Sequence, residues 1–241
     1  MKTRTISQTR SQTRSQAIPR TRNAGSARLT AVLSLVALSL VTLLFLAAQA
    51  RAWTAEEQDT LNRLSKKLSS ISTMNGEFVQ FGPNGGKTEG KFYLARPGKI
   101  KFQYLPPTPI SVTSDGKQVL VYDKKLQTFD LWPLSQTPLK FLLDNEMDLA
   151  SSERVKHVLT EPDLIQVSIL DDSRFGGGML ALIFDPETLD LKQWTVTDQQ
   201  GLNTSVAIFN VETGNKLDSK LFKIPYSRVT QANRERRSRK N

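Results

Sequence analysis

"GKFYLARPGKIKFQY", residues 90–104, is the stretch whose alternation decides the architecture. Side chains of an extended strand point to opposite faces with a period of two, so Phe92 and Leu94 share one face while Lys91 and Tyr93 share the other. The "RPG" at 96–98 is a turn signal, and beyond it Ile100, Phe102 and Tyr104 alternate with Lys99, Lys101 and Gln103. Two such runs predict an antiparallel hairpin with one greasy and one wetted face. The alternation also sets Arg96 on the greasy side, in line with Phe92 and Leu94. A guanidinium in that place is costly unless it meets carbonyls or carboxylates. The end of a covering helix supplies free carbonyls together with a dipole that favours positive charge.

The period of two continues outward in both directions. "GEFVQF" begins it at Gly76, and "PISVTS", "KQVLVYD" and "QTFDLWP" extend it. After an interruption, "RVKHVLT", "LIQVSIL", "MLALIFD", "DLKQWTVT", "TSVAIFNV" and "KLFKI" resume it, with turn signals such as "GPNGG", "PPT" and "DKK" between runs. The expectation is a mainly β fold with some α, built on an antiparallel sheet of about 11–12 strands, large enough that it must curl, close or split. Phe78 on the first strand and Val119 and Val121 on a later one share the inward face.

Two segments break the alternation. "TAEEQDTLNRLSKKLSSIS" carries Leu61, Leu64, Leu68 and Ile71 in a single apolar stripe, and Thr54 with Glu57 forms a capping box at its start. "LSQTPLKFLLDNEMDLASS" (134–152) has Thr137 and Pro138 suited to a helix start, then Leu139, Phe141, Leu142, Leu143 and Met147 in little more than two turns. A short helix that is apolar on more than one face must cover something. The residues themselves leave two readings: a permanently covered core, or a greasy concavity under a movable lid that Arg96 latches.

With 241 residues, 38% of them hydrophobic, the chain can bury one sizeable core, which predicts one domain. The net charge of +10 is unevenly spread. Residues 1–50 hold seven basic residues and no acid, residues 228–241 hold six basic residues and one acid, and the remaining 51–227 hold 20 basic against 22 acidic residues. With a near-neutral middle and no basic stripe carrying clustered aromatics, nucleic-acid binding is disfavoured. Residues 1–50 read as a signal peptide with a long basic leader: the run "LTAVLSLVALSLVTLLFLAA" precedes "AQA" at 48–50, predicting cleavage after Ala50 or Ala52 and export to the periplasm. The alternative is an uncleaved anchor, since the run approaches the about 20 residues needed to span a bilayer, which would make the chain a membrane-anchored structural domain. The expected layout is therefore the signal over 1–50, the β domain over 51–227, and a basic disordered tail over 228–241. Cysteine is absent, so no disulfide supports the exported domain and no lipid-bearing cysteine heads it.

Catalytic inventory is thin. His157 is the one histidine, which leaves no ligand cluster and no redox metal set. No G-x-S-x-G elbow is present, "GGG" at 176–178 precedes a strand rather than a helix, and Asp171 and Asp172 are adjacent and so fall on opposite faces when extended. The expectation is a binding protein, not an enzyme, with no cofactor and no metal.

The order "NGEFVQF", "GKFYLARPGKIKFQYLPP", "VTSDGKQVLVYD", "PLSQTPLKFLLD" and "LKQWTVTD" resembles the periplasmic outer-membrane lipoprotein carriers of the LolA type, over most of 54–225. The resemblance implies an incomplete, unclosed antiparallel β-barrel whose helices form a lid over a hydrophobic cavity. It implies that Arg96 hydrogen-bonds to the lid in the closed form, and that Ile100 and Phe102 line the cavity. Joined to the alternation, it makes Phe78, Phe92, Leu94, Ile100, Phe102, Tyr104, Val119 and Val121 the candidate acyl-chain cavity and Leu139, Phe141, Leu142 and Leu143 the candidate lid. The implied partners are acylated lipoproteins as cargo, an inner-membrane lipoprotein-releasing ABC transporter and an outer-membrane receptor, with the carrier acting as a monomer. The alternative on the same fold is a periplasmic lipid-binding or lipoprotein-sensing protein with another cargo. The basic leader and the basic tail after "IPYSR" depart from the family pattern.

Overall fold

Helix α1 (Ala55–Ser69) opens the described part of the chain and is followed by a six-strand meander: β1 (Thr73–Phe81), β2 (Lys87–Ala95), β3 (Lys99–Tyr104), β4 (Ile110–Asp115), β5 (Gln118–Asp123) and β6 (Thr128–Pro133). The short helix α2 (Leu139–Leu143) interrupts it. Five further strands follow, β7 (Val155–Thr160), β8 (Ile165–Asp171), β9 (Gly178–Phe184), β10 (Leu191–Thr197) and β11 (Asn203–Thr213), and then α3 (Tyr226–Ser238). The computed structural model describes residues 53–172 and 177–238; the signal-peptide expectation falls on residues outside them.

All eleven strands belong to one sheet in the order β6-β5-β4-β3-β2-β1-β11-β10-β9-β8-β7. Every neighbouring pair is antiparallel. Strands β6 and β7 end the sheet without pairing to each other, so the barrel is unclosed, and the two meanders are joined along β1 and β11. Aspartates set many of the hairpins. The Asp115, Asp123, Asp185 and Asp198 carboxylates each accept hydrogen bonds from amides two to four residues later, which preorganises the turn.

The register aligns apolar residues in rows across the inner face. Met74, Leu94, Ile100, Ser114 and Val119 form one row, and Val206, Trp194, Leu182, Val167 and Val158 form another in the second meander. Gly90 lies between Phe78 and Tyr104 in a third. A Cβ there would sit 2.2 Å from the Gln103 carbonyl oxygen. Its absence lets the strands approach closely where the Phe78 and Tyr104 rings meet edge to face at 5.0 Å.

Helix α1 is fixed by its capping box: the Thr54 hydroxyl accepts from the Glu57 amide at 3.1 Å, and the Glu57 carboxylate accepts from the Thr54 amide at 2.8 Å. Its stripe of Leu61, Leu64 and Leu68 is fully buried in the cluster that the inner face forms.

Two expectations need correction. "KLFKI" is not a twelfth strand: Ser219–Phe222 is a 3₁₀ turn, and Phe222 and Ile224 are buried. Of the residues expected to form a disordered tail, 228–238 are helical, as part of Tyr226–Ser238. Val229 and Ala232, three residues apart, pack on Leu120, Phe129 and Ile224 against the outer face of β5 and β6, away from the main core. One valine and one alanine among arginines are too few to register as a stripe, yet burial of Val229 stabilises the helix by roughly 1.5–3 kcal/mol.

Candidate functional site

Arg96 stands one residue past β2, where its amide donates to the Ser72 carbonyl at 2.8 Å. Its side chain reaches both covering segments. Nη1 donates to the carbonyls of Leu68 and Ile71, the latter at 3.0 Å. Nε and Nη2 both donate to the Leu142 carbonyl, at 3.2 and 3.0 Å, and Nη2 also lies 3.7 Å from the Met147 sulfur. Leu68 is in the last turn of α1 and Leu142 is in the five-residue helix α2. Last-turn carbonyls have no partner inside their own helix, so the planar guanidinium satisfies two helix ends at once and lies at the negative end of the α1 dipole. Burial pulls the Arg96 pKa down from its ordinary value, while the Asp144 carboxylate raises it in part. Arginine starts high enough to remain charged at neutral pH.

Backbone bonds reinforce this junction. The Gly98 amide donates to the Leu143 carbonyl at 2.8 Å, and the buried Ser114 hydroxyl donates to the Gly98 carbonyl at 2.7 Å. Gly98 has φ +77°, and a Cβ there would lie 2.6 Å from the Gly116 Cα, so the β2–β3 and β4–β5 turns are pressed together directly under α2. The loop after α2 is stitched to α1 by serines: the Leu149 amide donates to Ser65 Oγ at 2.9 Å and the Met147 amide to Ser69 Oγ at 3.2 Å. The Lys67–Asp190 ion pair, at 2.9 Å, ties the other flank of α1 to the β9–β10 turn.

Beneath these covers the rings of the inner face touch one another. Phe78 and Phe102 meet edge to face at 5.1 Å, Phe92 and Phe102 lie 6.5 Å apart, and Phe102 and Trp194 are 6.1 Å apart. The Tyr104 hydroxyl donates to the Gln80 amide oxygen at 2.7 Å, and burial pushes its pKa up to about 12 against that hydrogen bond. Of the residues the alternation assigned to the concavity, Phe78, Phe92, Leu94, Ile100, Phe102 and Val119 are buried in one cluster, with Tyr104 half-buried against it. Val121 does not join them. It is half-buried and pairs with Asp130 on the edge strand β6, where the inner face runs out toward the sheet margin. In α2, Leu142 and Leu143 are buried in the cluster, and Leu139 and Phe141 pack on it half-buried.

Sequence reasoning missed the second meander's share. Trp194, Leu180, Leu182 and Phe184 belong to the same cluster; the alternation in "MLALIF" carried the signal for the three on β9, whereas a register shift between Leu191 and Gln193 breaks the period before Trp194. Beside the Arg96 junction, Pro97, Gly98, Lys140, Phe141, Leu143 and Arg154 line part of an open surface cavity of about 530 Å³. Lys140 and Arg154 both approach the Phe141 ring, at 4.8 and 5.4 Å, and both reach Asp172. The site thus joins an apolar interior, a cover bonded on through one cation, and a cavity open to solvent beside the bond. His157 is exposed on β7, away from this constellation.

Residues 69–225 match the family model described as "Outer membrane lipoprotein carrier protein LolA". The outer-membrane lipoprotein carrier protein of Methylococcus capsulatus is 31% identical over 170 residues, covering 67% of this chain and 81% of the relative. That of Chromohalobacter salexigens is 28% identical over 188 residues, covering 73% and 85%. A solved structure of a putative outer membrane lipoprotein-sorting protein domain from Vibrio parahaemolyticus superimposes with a TM-score of 0.43 at 9% identity, covering 70% of this chain and 97% of that one. With its unclosed eleven-strand sheet and bonded-on helices, the chain belongs to the LolA family of periplasmic outer-membrane lipoprotein carriers.

Proposed function

We propose that this carrier takes acylated lipoproteins from an inner-membrane ABC transporter, shields their acyl chains between the sheet and the two covering helices, and yields them to a receptor at the outer membrane, with no catalytic step of its own. The physical task is large. Three acyl chains of roughly fifteen carbons, at about 0.8 kcal/mol per methylene, make exposure to water unfavourable by some tens of kcal/mol. A carrier has to offset most of that and still release. The empty protein is read as a closed state in which its own rings fill the concavity and Arg96 holds the lid. Cargo competes with that state by occupying the same apolar surface.

The observation that carries the reading is the double attachment of Arg96 to α1 and α2 carbonyls. Methyl-to-methyl packing alone would give a cover with no directional bond to make and break. The reading places the mature protein in the periplasm after removal of residues 1–50 or 1–52, and among the described residues no helix is long and apolar enough to cross a membrane. Its test is purification from the periplasm of the native host, with N-terminal sequencing and mass analysis of whatever co-purifies. Triacylated polypeptides bound to a chain beginning near Arg51 are expected. A bound glycolipid or free fatty acid in their place would assign another cargo and overturn the reading.

A further inference from the structure

Helix α3 stands outside the family match, which ends at Pro225, one residue before the helix begins. It also holds a large share of the charge. Residues 51–227 are close to balanced, whereas the sequence from 228 onward carries Arg228, Arg234, Arg236, Arg237, Arg239 and Lys240 with Glu235 as its single acid. Arg228, Arg234 and Arg236 are all exposed. Two have modest neighbours: Arg228 lies 5.9 Å from the Phe129 ring centre and Arg236 is 3.9 Å from Asp130. The few apolar side chains of the helix are already used, with Val229 and Ala232 packed on the sheet. The helix therefore does not insert into anything. It presents cations from a braced position.

We infer that α3 is an electrostatic docking surface for the anionic phospholipid headgroups of a membrane. The choice of a lipid surface over an acidic protein follows from what accompanies the arginines. Ser227, Thr230, Gln231 and Asn233 are exposed and polar, and the one exposed ring of the helix, Tyr226, has its hydroxyl bonded to Asp115 at 2.6 Å, so the turns that carry Arg234 and Arg236 lack the aromatic or apolar anchors that centre protein interfaces. A fluid layer of headgroups asks only for opposite charge near the surface. A near-neutral body with all its excess charge at one place also has an orientation at such a surface, and encounter with it is steered. Attachment of this strength is reversible, as a shuttling protein requires.

The test uses the protein recovered from the periplasm, free of cargo, so that its outcome does not depend on what the carrier transports. Co-sedimentation is measured with vesicles of phosphatidylcholine alone and of phosphatidylcholine mixed with phosphatidylglycerol. Binding to the mixed vesicles only is expected, with loss as salt rises from about 0.1 M to about 1 M and the Debye length shrinks from about 10 Å to about 3 Å. Combined Arg228→Gln, Arg234→Gln and Arg236→Gln changes are expected to lower the partition coefficient about fivefold per charge, on the order of a hundredfold together. The double variant without the Arg228 change leaves the Phe129 contact intact and is expected to lose about twenty-five-fold, which covers the case in which the triple variant unfolds. Neutralising Lys87, Lys91 and Lys156, exposed on other strands, is expected to leave binding unchanged. Equal loss in that control, equal binding to both vesicles, or binding to immobilised polyglutamate without binding to vesicles would each overturn the inference.

Discussion

Replacing Arg96 by leucine isolates the contact on which the proposed release depends. The guanidinium donates to three carbonyls, those of Leu68, Ile71 and Leu142. Hydrogen bonds from a charged donor contribute about 1.5–3 kcal/mol each, so the gross value is about 5–9 kcal/mol. Partial exposure of the arginine and the relief of its own desolvation reduce this by about half, to roughly 2–4 kcal/mol. Leucine fits the apolar surroundings but takes the guanidinium away from all three carbonyls while the lid is shut, leaving Leu68 the Ile71 amide at 3.2 Å; when the lid lifts, water satisfies them. The closed state is therefore destabilised relative to the open one by that amount, a factor of about 30–1,000 in the equilibrium. Since the apparent affinity for cargo scales with the fraction of protein that is open, an acylated fluorescent probe is expected to bind Arg96→Leu at least tenfold more tightly and to leave it more slowly. Titration of the probe and stopped-flow release onto acceptor vesicles read both quantities. Weaker or unchanged binding by a variant with native circular dichroism would refute the latch. Arg96→Lys should fall between the two, because an ammonium cannot serve both helices through one planar fork.

Other positions make independent demands. Phe102→Ala removes a ring packed on Phe78, Phe92 and Trp194 and should cost about 3–5 kcal/mol in denaturant unfolding of the empty protein; a cost below about 1 kcal/mol would mean that the interior is loosely filled. Gly98→Ala forces a Cβ into a left-handed backbone position against Gly116 and should destabilise by about 2 kcal/mol or more, with a matching fall in melting temperature. The Tyr226–Asp115 bond, 2.6 Å long, predicts a pH profile for the anchoring of α3. Burial raises the Asp115 pKa, but hydrogen bonds from Tyr226, Gln118 and Lys117 outweigh it and leave it below the ordinary carboxylate value. Its contribution is therefore present above about pH 4 and lost as pH falls through the lower folded value. The Tyr226 pKa is pushed up to about 12 by burial and by Asp115, so its contribution is present below about pH 10 and lost as pH rises through about 12. Tyr226→Phe should flatten the alkaline limb and part of the acid one in denaturant midpoints measured against pH, the Gln118 and Lys117 amides still holding the Asp115 carboxylate. Lys67→Met should change stability by less than about 1 kcal/mol, since that ion pair is exposed on both sides.

Where two neighbouring strands each kept strict alternation, the sequence was enough to place them. The hairpin at 90–104 put Phe92, Leu94, Ile100 and Phe102 on one face because a single-residue slip would have moved every one of them to water. The position of Arg96 was readable for the same reason, although the identity of its acceptors depended on where two separate helices came to rest. Val121 misled because alternation gives the face of a side chain and not its distance from the sheet margin. Trp194 escaped notice because strand order, with β11 returning beside β1, is a long-range property that carries no local mark. The tail failed for an energetic reason: a helix of low amphipathicity forms here because it leans on an apolar surface built by β5 and β6, which no window of its own sequence contains.

The gap between β6 and β7 has a mechanical result. A fully closed barrel has its circumference fixed by strand number and stagger, so widening it means breaking ladder bonds. A cupped sheet with two free margins can instead change curvature while every existing strand pair stays intact. On the proposed carrier function, opening of the space between sheet and helices is then resisted by the helices laid across it, not by the sheet, and cargoes of different bulk would be held at similar cost to the framework.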